Sequence, residues 1–186
     1  MLDYRSLQQA HQRAIDSVFS QQDKLNQLIE QVVACLTQGA KVLWCGNGGS
    51  AADAQHMAAE LMVRYVKNRR PLASIALTTD SSILTAHSND YEFETVFARQ
   101  VEALARPGDV LMCLSTSGNS ANVVKAQQQA KAMGVFCVAL TGRADSALSA
   151  QADLCFQVDS TQTARIQEAH ALISHILCEG LDLHFS

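Results

Sequence analysis

Two side chains stand at a spacing that can do chemistry: His56 and Glu60 lie four residues apart in a segment with helical character, which stacks them on one face about a turn apart. An imidazole and a carboxylate so placed serve as metal ligands or as an acid and a base. The same spacing also suits a solvated pair worth roughly 0.2–0.5 kcal/mol, so spacing alone leaves both readings open. The pair follows directly on the turn CGNGGS. Gly46, Gly48 and Gly49 remove every Cβ that would keep a ligand from the backbone, and Ser50 is expected to cap the helix. A phosphate or a sugar hydroxyl would suit such a turn, because free N–H groups and the positive helix end point at it. A second loop, Ser115-Thr116-Ser117-Gly118-Asn119-Ser120, repeats the design with four hydroxyls in six residues. Capping a helix needs one hydroxyl, and the excess points to phosphate binding. A third polar set, Gln167, Glu168, His170 and His175, falls on a long apolar helix from Ala164 to about Leu183.

These residues need a scaffold. Val42-Leu43-Trp44-Cys45 is an unbroken apolar run, the pattern of a strand covered on both faces. Further runs at 73–77, 110–115, 135–140 and, more weakly, 154–158 are separated by helical patterns at 92–105 and 120–133. Pro107-Gly108 and Gly134 stop those two helices. Two more helices, over about Tyr4 to Gln38 and closed by Gly39, precede the first strand. Strand–helix alternation predicts right-handed crossovers and a three-layer α/β/α sandwich around a five-stranded parallel sheet. Residues 1–186 form one domain, with 1–39 as added helices. The apolar helical surface exceeds what five strands can cover, which predicts a homo-oligomer.

The turn GNGGSA also spells a dinucleotide fingerprint. The acidic residue that should follow about twenty residues later is missing, since the nearest strand-end candidate, Asp80, lies well beyond. No Lys-Ser or Lys-Thr follows the glycines, so a Walker-type ATP site is not supported. Of 186 residues, 48% are apolar and 17% charged, an ordinary globular composition. A net charge of −4 offers no global field for nucleic acid or acidic membranes, so an anion must be held by local donors. Cys35, Cys45, Cys113, Cys137, Cys155 and Cys178 fall in apolar patterns with no CxxC pair, and read as reduced core residues. With no leader and no apolar run of membrane length, the expectation is a soluble cytoplasmic protein.

CGNGGS and STSGNS at successive strand ends, with ARIQE near the C-terminus, resemble the sugar isomerase (SIS) family of phosphosugar-binding domains over nearly the whole chain. Within it the chain is most similar to the bacterial phosphoheptose isomerases, which interconvert sedoheptulose 7-phosphate and D-glycero-D-manno-heptose 7-phosphate for lipopolysaccharide. The resemblance implies that Asn47, Gly48, Gly49 and Ser50 bind the sugar, together with Asn89, Asp90, Glu60 and Gln167. It implies a phosphate loop of Ser115, Thr116, Ser117 and Ser120, and a zinc held by His56, Glu60, Gln167 and His175. Glu60 would carry the proton between two carbons and His175 would serve the oxygens. A tetramer is implied as well. A non-catalytic relative, the replication-initiator-associating SIS protein, shares both loops and the RIQE helix. Glu60 and His175 side with the enzyme, and a phosphosugar-binding interaction module is the alternative.

Two points depart from an easy match. Gln167 and His175 are eight residues apart, roughly 12 Å along a helix, and by spacing alone His170 is the easier partner for Gln167. After Thr141-Gly142 the chain reads Arg143-Ala144-Asp145-Ser146 in place of the family's glycine-rich DGG continuation. His87 and His184 read as ordinary polar residues.

Overall fold

A computed structural model describes residues 1–142 and 144–186; Arg143, where the departure from the family pattern begins, lies outside the described residues. The expected five-stranded sheet is present and wholly parallel, in the order β2-β1-β3-β4-β5. The strands are β1 (Val42–Gly46), β2 (Ser74–Ala76), β3 (Val110–Leu114), β4 (Phe136–Gly142) and β5 (Leu154–Val158). Between and around them lie α1 (Tyr4–Phe19), α2 (Gln22–Thr37), α3 (Gly49–Met62), α4 (Ser81–Asp90), α5 (Val96–Leu104), α6 (Ala121–Ala132) and α7 (Thr163–Phe185).

Side-chain parity along the strands sorts the layers. Val42, Trp44, Met112 and Phe156 pack under α1, α2, α3 and α7, while Leu43, Cys45, Leu111 and Cys113 pack under α5 and α6. β1 and β3 are buried at every position, as expected of central strands in a doubly wound sheet. Five of the six cysteines are buried and all are free thiols, in keeping with core packing. Gly39, at φ 80°, ends α2, and the amides of Gly39 and Ala40 return to the carbonyls of Leu36 and Cys35. That is the left-handed close the sequence predicts. Gly180 lies mid-helix in α7, where an added Cβ would come within 2.7 Å of Ile29, so α7 lies tight on α2.

Two expectations change. The sequence reading passed over α4 because the helix buries none of its own residues and carries no apolar stripe to betray it. Asp80, weighed above as a dinucleotide acid, instead accepts the amide of Ile83 at 2.9 Å and caps this helix.

His170 is fully buried between α7 and the end of β4, with Nε2 3.2 Å from the carbonyl of Thr141. Among the described residues Nδ1 and the neighbouring Ser174 hydroxyl have no partner. Burial lowers the imidazole from 6.5 to about 4. The folded state therefore refuses a proton that the unfolded chain takes up below pH 6.5. The stability His170 allows is complete above that pH and is lost as pH falls toward about 4, by an amount on the order of 3 kcal/mol. Denaturation free energies measured from pH 7 to 4.5 should show this slope in the native chain and a flatter one in His170→Asn. An equal slope in both would assign the effect to other groups.

Candidate active site

β1 and β3 pair in level register, with Gly46 opposite Leu114, so Asn47 and Ser115 leave the sheet side by side. This is the point where the strand order reverses, and open α/β sheets bind ligands in that crevice. Both anion-suited loops therefore border one crevice.

In the first loop Gly48 has φ 55° and precedes α3 as its N-cap residue, with no side-chain cap. Ser50 is not the cap the sequence predicts. It is buried in the first turn, where its amide donates to the Asn47 carbonyl at 3.0 Å. The exposed Gly48 and Gly49 leave the helix end open. In the second loop the hydroxyl of Ser115 lies 2.9 Å from that of Ser120 and 3.4 Å from that of Ser117. Ser120 occupies the N-cap position of α6 without capping it, so its hydroxyl turns into the cluster. Thr116 is held through its carbonyl, which accepts the Gly142 amide at 3.1 Å. Gly118, at φ 68°, packs so close to Ser146 that no Cβ fits.

A residue the sequence reading missed ties the loops together. Asn47 and Asn122 exchange two amide hydrogen bonds of 2.8 Å each, and Asn122 is buried. Each amide spends one N–H and one lone pair, so Asn47 keeps a second donor and acceptor for a ligand. Nothing in the linear pattern marks Asn122, which reads as one more polar residue in a helix's first turn.

On α3, His56 Nε2 lies 3.2 Å from Glu60 Oε1. His175, from α7, meets His56 edge to face with ring centroids 5.2 Å apart, and Tyr65 stacks on its other side at 5.6 Å. His56, Glu60 and His175 are thus gathered between two packed helices. Asp53 joins it, another residue the sequence reading missed although it stands three residues before His56. Half-burial raises its carboxyl, and attraction from His56 and His175 partly offsets this.

Other expected residues stand apart. Gln167 rests at the opposite end of α3, where a Cβ on Gly49 would come within 2.5 Å of its Nε2, roughly two helical turns from His56. His170, favoured by spacing as the partner of Gln167, points into the core. Asn89 and Asp90 are exposed at the end of α4 and bond to each other at 2.9 Å. Among the described residues no hydrogen bond or ion pair links them to either loop. His87 bonds Thr95 and His184 packs on Phe185, as ordinary polar residues do. Two imidazoles and a carboxylate suit zinc in type. Their placement in the single chain stops short of a cage: among the described residues no three His, Cys, Asp or Glu side chains are placed to hold a metal ion.

Glycine turns and clustered hydroxyls at the switch point of a parallel sheet, with two imidazoles and a carboxylate further along α3 and α7, are the features of a phosphosugar-type α/β protein. A family model described as SIS domain matches residues 6–142, and the chain belongs to that family. Its relatives narrow the place to the phosphoheptose isomerases. The phosphoheptose isomerase of Rhodospirillum rubrum is 56% identical over 147 residues, 79% of this chain and 78% of its own. That of Campylobacter concisus is 50% identical over 177 residues, 95% of this chain and 94% of its own. The structure of phosphoheptose isomerase GmhA from Neisseria gonorrhoeae superposes with a TM-score of 0.89 at 43% identity, covering 96% of both chains.

Replacing Asn122 by Ala removes both bonds to Asn47 and leaves that amide short of partners beside the crevice. Thermal or denaturant unfolding should report a loss of roughly 1–3 kcal/mol. A loss below about 0.5 kcal/mol would mean that solvent replaces the pair without cost.

Proposed function

We propose that this chain interconverts sedoheptulose 7-phosphate and D-glycero-D-manno-heptose 7-phosphate, the step that supplies heptose for lipopolysaccharide. The observation that carries this reading is the His56–Glu60–His175 triple, set in a chain about half identical to phosphoheptose isomerases. A carboxylate within hydrogen-bond reach of one imidazole, with a second imidazole against the first, has the groups that proton transfer needs.

The mechanism follows from what each group can do. The hydroxyls of Ser115, Thr116, Ser117 and Ser120 and the open end of α6 bind the phosphate. Asn47, Gly48 and Gly49 orient the sugar hydroxyls, with Gln167, Asn89 and Asp90 as further contacts. Glu60 takes the proton from the carbon beside the carbonyl, forming an enediol, and returns it to the neighbouring carbon. His175 moves a proton between the two oxygens, so none is gained or lost over the cycle. We also propose zinc in the assembled protein, with His56, Glu60, His175 and Gln167 as donors. Bound there, it would polarise the carbonyl as a Lewis acid.

Assembly as a homotetramer is supported by apolar surface that one chain leaves open. A groove of about 650 Å³ between α2 and α7 is lined by Ile29, Val33, Gly180 and Leu183. Ile83, Tyr91 and Phe93 are exposed on and beside α4, and such surface marks contacts. Among the described residues no helix is long and apolar enough to cross a membrane, which agrees with a cytoplasmic location.

Glu60→Gln should lower kcat on sedoheptulose 7-phosphate by at least about a hundredfold while sparing KM, since a general base contributes about 10²–10⁴. Retention of more than about a hundredth of native activity would remove Glu60 from that role. Metal content and particle mass, read on the same preparation, check for zinc and four chains. Ser120→Ala should raise KM more than it lowers kcat, the mark of binding shared by ground and transition states. The opposite pattern would argue against phosphate contact.

A further inference from the structure

Beyond the acid–base triple lies a buried ion pair that the mechanism leaves unused. Arg69 Nε donates to Asp182 Oδ1 at 2.8 Å, with the two side chains 0% and 4% exposed. Most of the pair's other polar contacts lead back toward the site. The Arg69 guanidinium also donates to the carbonyls of Glu60 at 2.9 Å, Leu61 at 3.0 Å and Arg70 at 3.1 Å, and so closes the last turn of α3. Asp182 Oδ2 accepts the amides of Val66 at 2.9 Å and Lys67 at 2.7 Å. These two amides follow Tyr65, whose ring stacks on His175 at an interplanar angle of 26°. His175, Cys178 and Asp182 are spaced i, i+3, i+7 along α7 and so share a face. Burial first, and then the charge of Glu60, pushes the Cys178 thiol up to about 12, with Arg69 opposing. One compact node therefore joins the α3 turn that carries Glu60, the strap after it, and the α7 face that carries His175.

We propose that Arg69 and Asp182 are positioning residues for the isomerisation, holding the turn of Glu60 and the ring of Tyr65 in register with His175. This rests on the isomerase reading above. A buried ion pair is by itself weak evidence for stability, since apolar residues often replace one at no loss. Apolar residues could not hold three carbonyls and two amides at fixed places, and here the Glu60 carbonyl and the amides after Tyr65 lie beside the proposed reacting side chains. Only arginine can do this from the Arg69 position. Its planar fork spans a carboxylate and several carbonyls at once, whereas a lysine ammonium is a single point of charge.

The test compares Arg69→Lys, Asp182→Asn and Tyr65→Ala in the full-length protein. Arg69→Lys keeps the charge pair and loses the fork. Each variant should lower kcat on sedoheptulose 7-phosphate by about tenfold or more with KM nearly unchanged, because misplaced reacting groups slow chemistry more than binding. The ring-proton resonance of His175 should shift in all three. Folded variants that keep native kcat and an unmoved His175 resonance would overturn the proposal. Should the buried substitutions fail to fold, Tyr65→Ala decides, because it removes only a partly exposed ring from the end of the chain of contacts. Full activity with an unmoved resonance there would equally overturn it. If the native protein proves inert toward the sugar while the His175 resonance still shifts, the isomerase reading fails and the positioning role stands.

Discussion

The level pairing of β1 with β3 is the constraint on which the rest of the molecule depends. Five residues of each strand lie opposite one another, from Val42–Val110 to Gly46–Leu114, so the two loops leave the sheet at one height. A slip of one residue would turn Trp44 and Met112 to the opposite layer. Burial on both faces holds the register at every position. At the far end Asp109 fastens it, accepting the backbone amide of Lys41 at 2.9 Å and its ammonium at 2.6 Å. The crevice is thus defined from below, by strand ends that cannot drift, before any ligand-binding side chain is considered.

A second constraint is the way α7 lies along α3. Parallel packing of two helices places residues at matched heights, so the start of α7 meets the start of α3 and the middle meets the middle. Gln167 falls beside Gly49 and His175 beside His56 for that reason. The same geometry explains why the four donors implied by family likeness do not converge in one chain. Two helical turns separate Gln167 from His175, and a side chain cannot recover roughly 12 Å. In the single chain Gln167 and the His56–His175 pair therefore stand at different heights along α3.

What could be read from the sequence was whatever leaves a local trace. Apolar runs marked all five strands, and Gly39 and Gly134 marked two helix ends. CGNGGS and STSGNS marked the crevice, and His56–Glu60 spacing marked the acid–base face. α4 left no trace because nothing in it is buried. Ser50 misled because a serine after glycines looks like a cap, while Gly48, free to take a positive φ, starts the helix two residues earlier. Asn122 and the Arg69–Asp182 pair could not be read because their partners are 75 and 113 residues away, for Asn47 and Asp182 in turn, and Asp53, though three residues before His56, meets His175 only through the packing of α7. Only packing brings such pairs together.

On the proposed reading, phosphate would be recognised here without a cation. The chain carries a net charge of −4, and the second loop supplies neutral donors only. Ser120 sits where a serine normally caps its own helix, a bond worth about 1 kcal/mol, yet its hydroxyl turns 2.9 Å from Ser115 instead. The amides of Ala121 and Asn122 are thereby left without a side-chain cap, and a dianionic phosphate at a helix start is stabilised by such amides and by the helix macrodipole together. A lysine in the same place would bind phosphate more strongly whether or not a sugar was attached. Neutral donors would leave a larger share of the selection to the hydroxyl contacts proposed at Asn47, Gly48 and Gly49, and the reciprocal Asn47–Asn122 bonds tie that loop to the start of α6. Distance between the two loops then becomes a measure of the substrate, because a phosphosugar must reach from the serines to the acid–base face while its hydroxyls meet Asn47.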